Sequence, residues 1–359
     1  MNREELIKAE LNLLPIPDSD WLLGDLPYTF QLFSKGAEKD KLQIELPVPY
    51  KLYETKLLTS FQKALSPHFL GEDITFTSNI RAKRVRPGLK PIPQVKNLLA
   101  VASGKGGVGK SSVAANLAWN LQLLGAEVGL LDADIYGPSQ SLMMGFNQHK
   151  AQQSSGHFIP AVHPSGIKVM SMGFLIEENQ SLVWRGPMIS KALLQLLFQT
   201  DWGNLDYLII DLPPGTGDIQ LTLAQKIPVT AALIVTTPQK IALIDAEKAI
   251  QMFQKVSIPV IGIAENMSYH VCSHCGTSET ILGSGGGQHL AKKTNIPLLG
   301  QIPLTQEICE AMDKGKFELI PKQLDNFQAI TWKAALALSR LANDFSSRLP
   351  EVAIEKTKL

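Results

Sequence analysis

Apolar runs alternate with stretches of helical periodicity from residue 95 onward. The apolar runs predict seven strands, at 98–102, 128–131, 167–172, 207–212, 231–236, 260–265 and 298–302. Several are nearly continuous in Val, Ile and Leu, which is typical of strands buried on both faces. The helical runs lie at 112–124, 188–199, 219–226, 244–256, 288–294 and 305–314. Strands and helices that alternate in this way predict an α/β fold with a doubly wound, mostly parallel sheet.

The pattern before residue 95 is different. Helical periodicity and strand-like alternation there predict the order α-β-β-α-β, at 3–14, 28–33, 42–47, 50–65 and 73–80. We therefore expect a small α+β domain over residues 1–94 and a larger domain over 95–350. The larger domain ends in an amphipathic helix at 332–345, and a flexible tail follows at 351–359.

A basic, proline-containing stretch ends the first domain. Its cations are Arg81, Lys83, Arg84, Arg86 and Lys90. We interpret this stretch as a solvated linker, and a docking site for an acidic partner is the alternative.

Composition narrows the classes of protein. The 359 residues are 45% hydrophobic and 19% charged, which supports packed cores rather than disorder. A net charge of +1 gives no electrostatic case for nucleic acid, and no apolar run approaches the length of a membrane span. The amino terminus lacks the pattern of a signal peptide, and three cysteines are too few for a disulfide scaffold. We therefore expect a cytoplasmic protein that binds neither nucleic acid nor membrane.

A glycine-rich segment lies between the first strand and the first helix of the larger domain. Residues 103–112 read Ser-Gly-Lys-Gly-Gly-Val-Gly-Lys-Ser-Ser, which contains the spacing of a phosphate-binding P-loop. Glycines let the backbone N–H groups turn inward around a polyphosphate. Lys110 can reach the β- and γ-phosphates, and Ser111 can ligate Mg²⁺. The predicted ATP-binding residues are Gly104, Lys105, Gly106, Gly107, Val108, Gly109, Lys110, Ser111 and Ser112.

Two further strands end in carboxylates. Asp132 and Asp134 follow the second strand, and Asp211 follows the apolar run 207–210 in the order expected of a Walker B motif. Ligands of open α/β sheets bind at the carboxyl ends of strands, so these carboxylates are expected beside the P-loop. We predict that Asp211 and Ser111 hold Mg²⁺. A turn-capping role is more plausible for Asp132 than for Asp134.

Asn266 follows the predicted strand 260–265. Its amide offers a donor and an acceptor together, so it can pair with adenine. A role for Asn266 in stabilising the turn that follows the strand is an equal alternative.

Cys272 and Cys275 form a Cys-x-x-Cys pair in the next loop. The pair is badly placed for a thioredoxin-like dithiol, because that motif opens a helix. For a zinc site or an iron–sulfur cluster it supplies two of four ligands, and a second copy across a two-fold axis can supply the others. Two turn cysteines without metal are a further alternative. Cys309, in the helical run 305–314, is expected to be a buried apolar residue.

The P-loop carries a second lysine, Lys105, which an ordinary P-loop does not need. The pattern Gly-Lys-Gly-Gly-x-Gly-Lys-Ser resembles the deviant Walker A motif of the MinD/ParA and nitrogenase iron-protein class of ATPases. The resemblance implies a nucleotide-dependent homodimer in which Lys105 reaches the partner's nucleotide. It also implies that Asp134 activates the attacking water and that Asn266 recognises the base.

A more specific resemblance covers nearly all of residues 95–320. In order, the segments 101–111, 131–139, 184–188, 211–222, 235–239, 265–268 and 272–276 resemble those of the Mrp/ApbC family of iron–sulfur cluster carrier ATPases. This likeness implies that Cys272 and Cys275 of two protomers hold a labile [4Fe–4S] cluster. It further implies that ATP binding or hydrolysis accompanies receipt of the cluster from a donor or its delivery to apo-proteins.

The likeness is weaker before residue 95. Mrp-like proteins often begin with a domain of the iron–sulfur assembly type, but no cysteine lies in this region here. Partner docking is therefore expected of it rather than thiol chemistry. A MinD/ParA-like positioning ATPase and an ATP-gated, zinc-linked scaffold are the alternative functions. The role of Arg185 stays open between a phosphate, a partner, a switch residue and a surface ion pair.

Overall fold

The computed structural model describes residues 3–33, 41–65, 73–135, 137–146, 148–175, 186–272, 274–322 and 326–344. The strands are β1 (Thr29–Phe33), β2 (Lys41–Leu46), β3 (Ile74–Ser78), β4 (Val95–Ala102), β5 (Val128–Asp132), β6 (Gln152–Ser154), β7 (His157–Ile159), β8 (Ala161–Val162), β9 (Lys168–Ser171), β10 (Leu205–Asp211), β11 (Ala231–Thr236), β12 (Val260–Glu265), β13 (His270–Val271), β14 (Ser278–Glu279) and β15 (Leu298–Gln301). The helices are α1 (Arg3–Asn12), α2 (Glu54–Leu65), α3 (Lys110–Leu123), α4 (Gln140–Met143), α5 (Gly186–Gln199), α6 (Asp218–Lys226), α7 (Lys240–Lys255), α8 (Gly286–Thr294), α9 (Gln306–Asp313) and α10 (Asn326–Ser339).

The first elements form a small three-stranded sheet with two helices. β2 lies in the middle, antiparallel to β1 and parallel to β3. The residues of β2 alternate in burial, with Leu42, Ile44 and Leu46 pointing into the core, where α2 adds Leu57 and Phe61. The predicted α-β-β-α-β order is therefore confirmed.

A large sheet dominates the rest of the chain. Its order is β15-β12-β11-β4-β10-β5-β9-β8, and every neighbouring pair is parallel except β8 with β9. All seven predicted strands are present, and the expected α/β fold with a mostly parallel sheet is confirmed. β4 lies between β10 and β11. The later strands β5, β9 and β10 lie on one side of it, and β11, β12 and β15 lie on the other. The order reverses there, which is where open sheets bind ligands.

The differences from the sequence pattern concern short elements and the boundaries of helices. α4, the small strands β6 to β8 and the hairpin β13–β14 span only two to four residues each, too few to show periodicity. The last helix begins at Asn326 and ends at Ser339, earlier than the predicted 332–345. No described helix has both the length and the apolar character needed to cross a membrane.

The amino-terminal elements pack against the last helix. The ring of Tyr53 stacks on that of Trp332, with centroids 4.3 Å apart, and the Trp332 indole N–H donates to the carbonyl of Pro17 at 2.8 Å. Both aromatic side chains are fully buried. The small sheet is thus joined to the body of the protein by apolar packing.

Lys83 corrects the interpretation of the basic stretch. Its side chain is 3% exposed, and Nζ donates to the carbonyl of Ser339 at 2.6 Å and to Oδ1 of Asn343 at 2.7 Å. Burial, with a smaller effect of Arg81, lowers the pKa of Lys83 to about 8. The solvated-linker interpretation is therefore wrong for Lys83, because its side chain is buried and hydrogen-bonded to residues more than 250 positions away in the sequence.

Candidate functional site

The loop between β4 and α3 requires glycine at particular positions. Gly107 and Gly109 have φ angles of 80° and 78°, in the left-handed region that other residues rarely adopt. A Cβ atom at Gly104 would collide with the backbone of Asp245 in α7. These glycines therefore satisfy both the turn itself and its close packing on the neighbouring helix.

The two lysines of this loop lie in opposite environments. Lys110 is 6% exposed, and its Nζ contacts Oδ1 of Asp211 and lies 3.9 Å from Oδ2 of Asp134. Lys105 is exposed and makes no ion pair with any residue of the described ranges. Lys110 is therefore part of a buried charge network, whereas the Lys105 ammonium faces outward.

Asp211 ends β10 beside the loop and is completely buried. Besides Lys110, it accepts a hydrogen bond from Nε2 of Gln140, 2.9 Å from Oδ2. The same Nε2 lies 2.9 Å from the carbonyl of Ser111, to which it also donates. Gln140 thus connects the Walker B carboxylate to the P-loop serine. The sequence reasoning missed this residue, because nothing in the local pattern of α4 indicates the contact.

Asp132, the last residue of β5, acts as a buried cap. Its Oδ2 accepts from the backbone N–H groups of Ser139 and Gln140, both at 3.0 Å, and from the Ser171 hydroxyl. Burial, and next the charge of Asp211, raise the pKa of Asp132 to about 7, although the backbone hydrogen bonds from Gln140 and Asp134 and the charge of Lys110 act in the opposite direction. The geometry agrees with the turn-capping role that we considered more plausible for Asp132.

The predicted carboxylates therefore converge on the P-loop. Asp134 is 9% exposed and lies on the Lys110 side of the site, within reach of the same ammonium as Asp211. Carboxylate and hydroxyl oxygens are the ligands that Mg²⁺ prefers, so Asp211 and Ser111 fit such an ion. A buried lysine directly after a phosphate-binding loop can contact the phosphates of a bound polyphosphate.

Asn266 lies directly against the loop. Its side chain is 7% exposed, and Nδ2 donates to the carbonyl of Val108 at 3.0 Å. A Cβ atom at Gly109 would collide with this amide. The turn after β12 is served by Ser268, whose hydroxyl donates to the carbonyl of Glu265 at 2.8 Å. Asn266 therefore touches the P-loop, a contact that neither interpretation of the sequence included.

The cysteine pair lies on the hairpin formed by β13 and β14. The backbone N–H of Cys272 donates to Thr277 and that of Gly276 donates to Cys272, both at 2.9 Å, which closes the turn. Cys275 is exposed and Cys272 partly so, and both are free thiols. The Cys275 thiol lies 3.2 Å from the Thr277 hydroxyl, and hydrogen bonds with Thr277 lower its pKa.

One chain offers this hairpin only part of a metal site. Within the described residues, no group of three or more His, Cys, Asp or Glu side chains could hold a metal ion. His270, the nearest candidate before the pair, has Nδ1 3.0 Å from the carbonyl of Leu304. A metal ion bound by the two accessible thiols would therefore need further ligands from elsewhere.

Cys309 does not match its prediction. It is exposed, whereas α9 buries Ile308, Ala311 and Met312 along one side. Since Cys309 directly follows the buried Ile308, it turns away from that side, and the expectation of a buried apolar residue is wrong. Arg185 and the tail 351–359 lie outside the described residues.

A glycine loop at the switch point of a parallel sheet, facing a buried lysine and a strand-end carboxylate, defines a P-loop NTPase. A family profile described as "ParA: NUBPL iron-transfer P-loop NTPase" matches residues 94–337. The chain belongs to this family.

Curated relatives agree with the assignment. An "Iron-sulfur cluster carrier protein" of Escherichia coli K12 is 49% identical over 298 residues, covering 81% of this chain and 80% of the relative. A protein of the same name from Pseudomonas fragi is 55% identical over 238 residues, 66% of this chain and 82% of the relative. The "Iron-sulfur cluster transfer protein NUBPL" of Dictyostelium discoideum is 48% identical over 244 residues, 67% of this chain and 75% of the relative.

Solved structures show the same fold. A nucleotide-binding protein of Archaeoglobus fulgidus in complex with ADP is 38% identical, with a TM-score of 0.58, and the match covers 65% of this chain and 93% of that one. The cell division ATPase MinD of Pyrococcus furiosus is 20% identical, with a TM-score of 0.50, over 68% of this chain and 99% of that one. The second likeness concerns the fold alone.

Proposed function

We propose that this protein is an ATP-hydrolysing carrier that holds a labile [4Fe–4S] cluster between two copies of the chain and transfers it to apo-proteins. The observation that carries the proposal is the accessible Cys272–Cys275 pair, half of a four-thiolate site, on a hairpin that follows the P-loop contact at Asn266. The names of the relatives support the same cargo.

The nucleotide step uses the buried charges. The P-loop and Lys110 bind the phosphates of ATP. Ser111 and Asp211 would hold Mg²⁺, which would supply positive charge to offset the negative charge of the phosphates. Asp134 orients a water and accepts its proton as the water oxygen attacks the γ-phosphorus. The bond between that phosphorus and the bridging oxygen of the β-phosphate breaks, so ADP leaves with the electron pair and phosphate is formed.

Lys105 completes this site from the other protomer. Its ammonium faces outward and has no acidic partner among the described residues, so it is available to a second copy. In that position it would stabilise negative charge on the transferred phosphoryl group, as an arginine finger does. ATP binding would then favour the homodimer.

The same two-fold arrangement completes the cargo site. Cys272 and Cys275 from each protomer supply four thiolates, the number that a [4Fe–4S] cluster requires. Exposed thiolates suit a labile cargo, since an acceptor's cysteines can reach the cluster. A cluster donor and apo iron–sulfur proteins in the cytoplasm are the proposed partners, and the domain over residues 1–94 is the proposed docking unit beside the NTPase domain at 95–350.

Anaerobic reconstitution with iron and sulfide tests the proposal. The wild-type protein is expected to show a broad visible absorption band and to bind about four iron ions per dimer. The double variant Cys272→Ala/Cys275→Ala should lose both, while Cys309→Ala, which removes the remaining cysteine, should keep them. Tight zinc binding without a cluster would favour a zinc-linked scaffold, and a dimer that binds no metal would favour a positioning ATPase.

A further inference from the structure

One buried carboxylate contacts the chain both before and after the cysteine hairpin. Glu265, the last residue of β12, is fully buried. Its Oε1 accepts from the Ser268 hydroxyl at 2.9 Å, just before the hairpin, and its Oε2 accepts from the backbone N–H of Gly287, just after it. Gln301 of β15 donates to Oε1 at 2.7 Å. Glu265 therefore holds the residues on either side of the hairpin, Ser268 and Gly287, at the end of the sheet.

The next residue faces the opposite way, into the nucleotide loop. Asn266 donates from Nδ2 to the carbonyl of Val108, and its own backbone N–H donates to the carbonyl of Thr236 at 2.8 Å. Close packing against Gly109 leaves this amide little freedom. A displacement of the loop backbone at Val108 must therefore be transmitted to Asn266 or break the hydrogen bond between them.

The connection continues into the hairpin itself. The carbonyl of Tyr269 accepts from the backbone N–H of Leu304 at 2.7 Å, and Nδ1 of His270 lies 3.0 Å from the carbonyl of Leu304. His270 then begins β13, and Cys272 directly follows that strand. Only five residues separate Asn266 from Cys272, and hydrogen bonds constrain most of them.

We propose that Glu265 and Asn266 are positioning residues that couple occupancy of the P-loop to the exposure of Cys272 and Cys275 within one chain. Glu265 holds the base of the hairpin, and Asn266 links that base to the loop carbonyl of Val108, so a shift of this carbonyl on nucleotide binding would reach the hairpin. The inference rests on the proposed nucleotide binding but not on the presence of a cluster.

Thiol alkylation of the full-length, cluster-free protein tests the coupling. The rates at Cys272, Cys275 and Cys309 are measured peptide by peptide with iodoacetamide, with and without a saturating non-hydrolysable ATP analogue and Mg²⁺. Nucleotide should change the rate at the pair by at least about fivefold, the lower end of typical coupling between two sites. Cys309, exposed on α9, is the internal reference and should not respond. The response should be independent of protein concentration, because the connection lies within one chain.

Ser268→Ala and Glu265→Gln weaken the base of the hairpin without touching the P-loop. Both should bind the analogue as the wild type does but lose most of the alkylation response. Ser339→Ala is the matched control, since it removes another buried serine hydroxyl that donates to a backbone carbonyl, at Leu336 in α10. It should keep the full response.

Three results would overturn the coupling alone. They are an unchanged alkylation rate in a wild type that binds the analogue, a full response in both hairpin variants, and a response that grows with protein concentration. A response that grows with protein concentration would mean that the thiols are protected by a dimer interface and not by a connection within one chain. A wild type that does not bind the analogue would instead overturn the proposed function, and the coupling with it.

Discussion

The phosphate loop and the cysteine hairpin are both candidate sites, but they are built in opposite ways. Beside the loop, Lys110 is buried and contacts Asp211, and the buried Asp132 accepts hydrogen bonds from the following turn, whereas Lys105 is exposed. On the hairpin, the thiols of Cys272 and Cys275 are accessible, and the strands on either side of them have two residues each.

This difference follows from the cost of burying charge. A buried ion must be paired and hydrogen-bonded, so Lys110 and Asp211 contact each other before any ligand arrives. A two-stranded hairpin has little stability of its own and takes its position from the residues at its base. The loop is therefore organised to bind one ligand in a fixed geometry, whereas the hairpin presents ligands that a second molecule can complete.

The largest expected effect concerns the outward lysine of the loop. Lys105→Ala should lower ATP turnover by about 10³-fold, the smallest effect typical of a charge supplied in trans to a transferring phosphoryl group. Nucleotide affinity of the monomer should stay unchanged, because the side chain is exposed and unpaired with any described carboxylate. Single-turnover hydrolysis and nucleotide titration measure the two quantities separately. Unchanged hydrolysis would remove Lys105 from the reaction.

Removing the buried lysine should have a different consequence. Lys110→Ala deletes the partner of Asp211 and the cation that meets the phosphates, so ATP affinity should fall by about 10²-fold, as expected when a buried charge pair is broken. Calorimetric titration measures the affinity, and circular dichroism checks that the variant is folded. ATP binding at wild-type strength would contradict the assignment of the P-loop, and a loss of affinity in Lys105→Ala as well would erase the contrast between the two lysines.

The buried carboxylate of Asp132 gives a smaller, pH-dependent effect. Because its pKa is raised to about 7, the folded state holds a proton that the unfolded state lacks between about pH 4 and pH 7. Its contribution to the free energy of unfolding therefore falls as pH rises through this window, by at most about 1.4 kcal/mol per pH unit. Asp132→Asn should make the slope less negative in urea unfolding from pH 4.5 to 7.5. Equal slopes in the two proteins would show that Asp132 is ionised throughout.

The contrast between the two sites also explains what the sequence could predict. Lys110 and Asp211 are recognisable because their spacing from a glycine loop and a strand end is fixed by the chemistry of phosphate binding. Gln140 and Glu265 are equally central, but their partners Asp211 and Gly287 lie 71 and 22 positions away. Such contacts depend on the packed fold and leave no local pattern. The strands were predicted well because burial on both faces produces continuous apolar runs.

The smallest effect is expected where the hairpin presents its thiols. Cys272→Ala/Cys275→Ala should change the free energy of unfolding of the metal-free protein by less than about 0.5 kcal/mol, because Cys275 is exposed, Cys272 is partly exposed, and substitutions at the surface cost little. Urea unfolding by circular dichroism measures this directly. Gly109→Ala is the matched substitution at the other site, and it should be clearly destabilising, because its backbone is left-handed and its Cβ would meet Asn266. A large loss of stability in the cysteine variant would mean that the thiols hold the hairpin together, as in a structural zinc site, and would make the two sites alike.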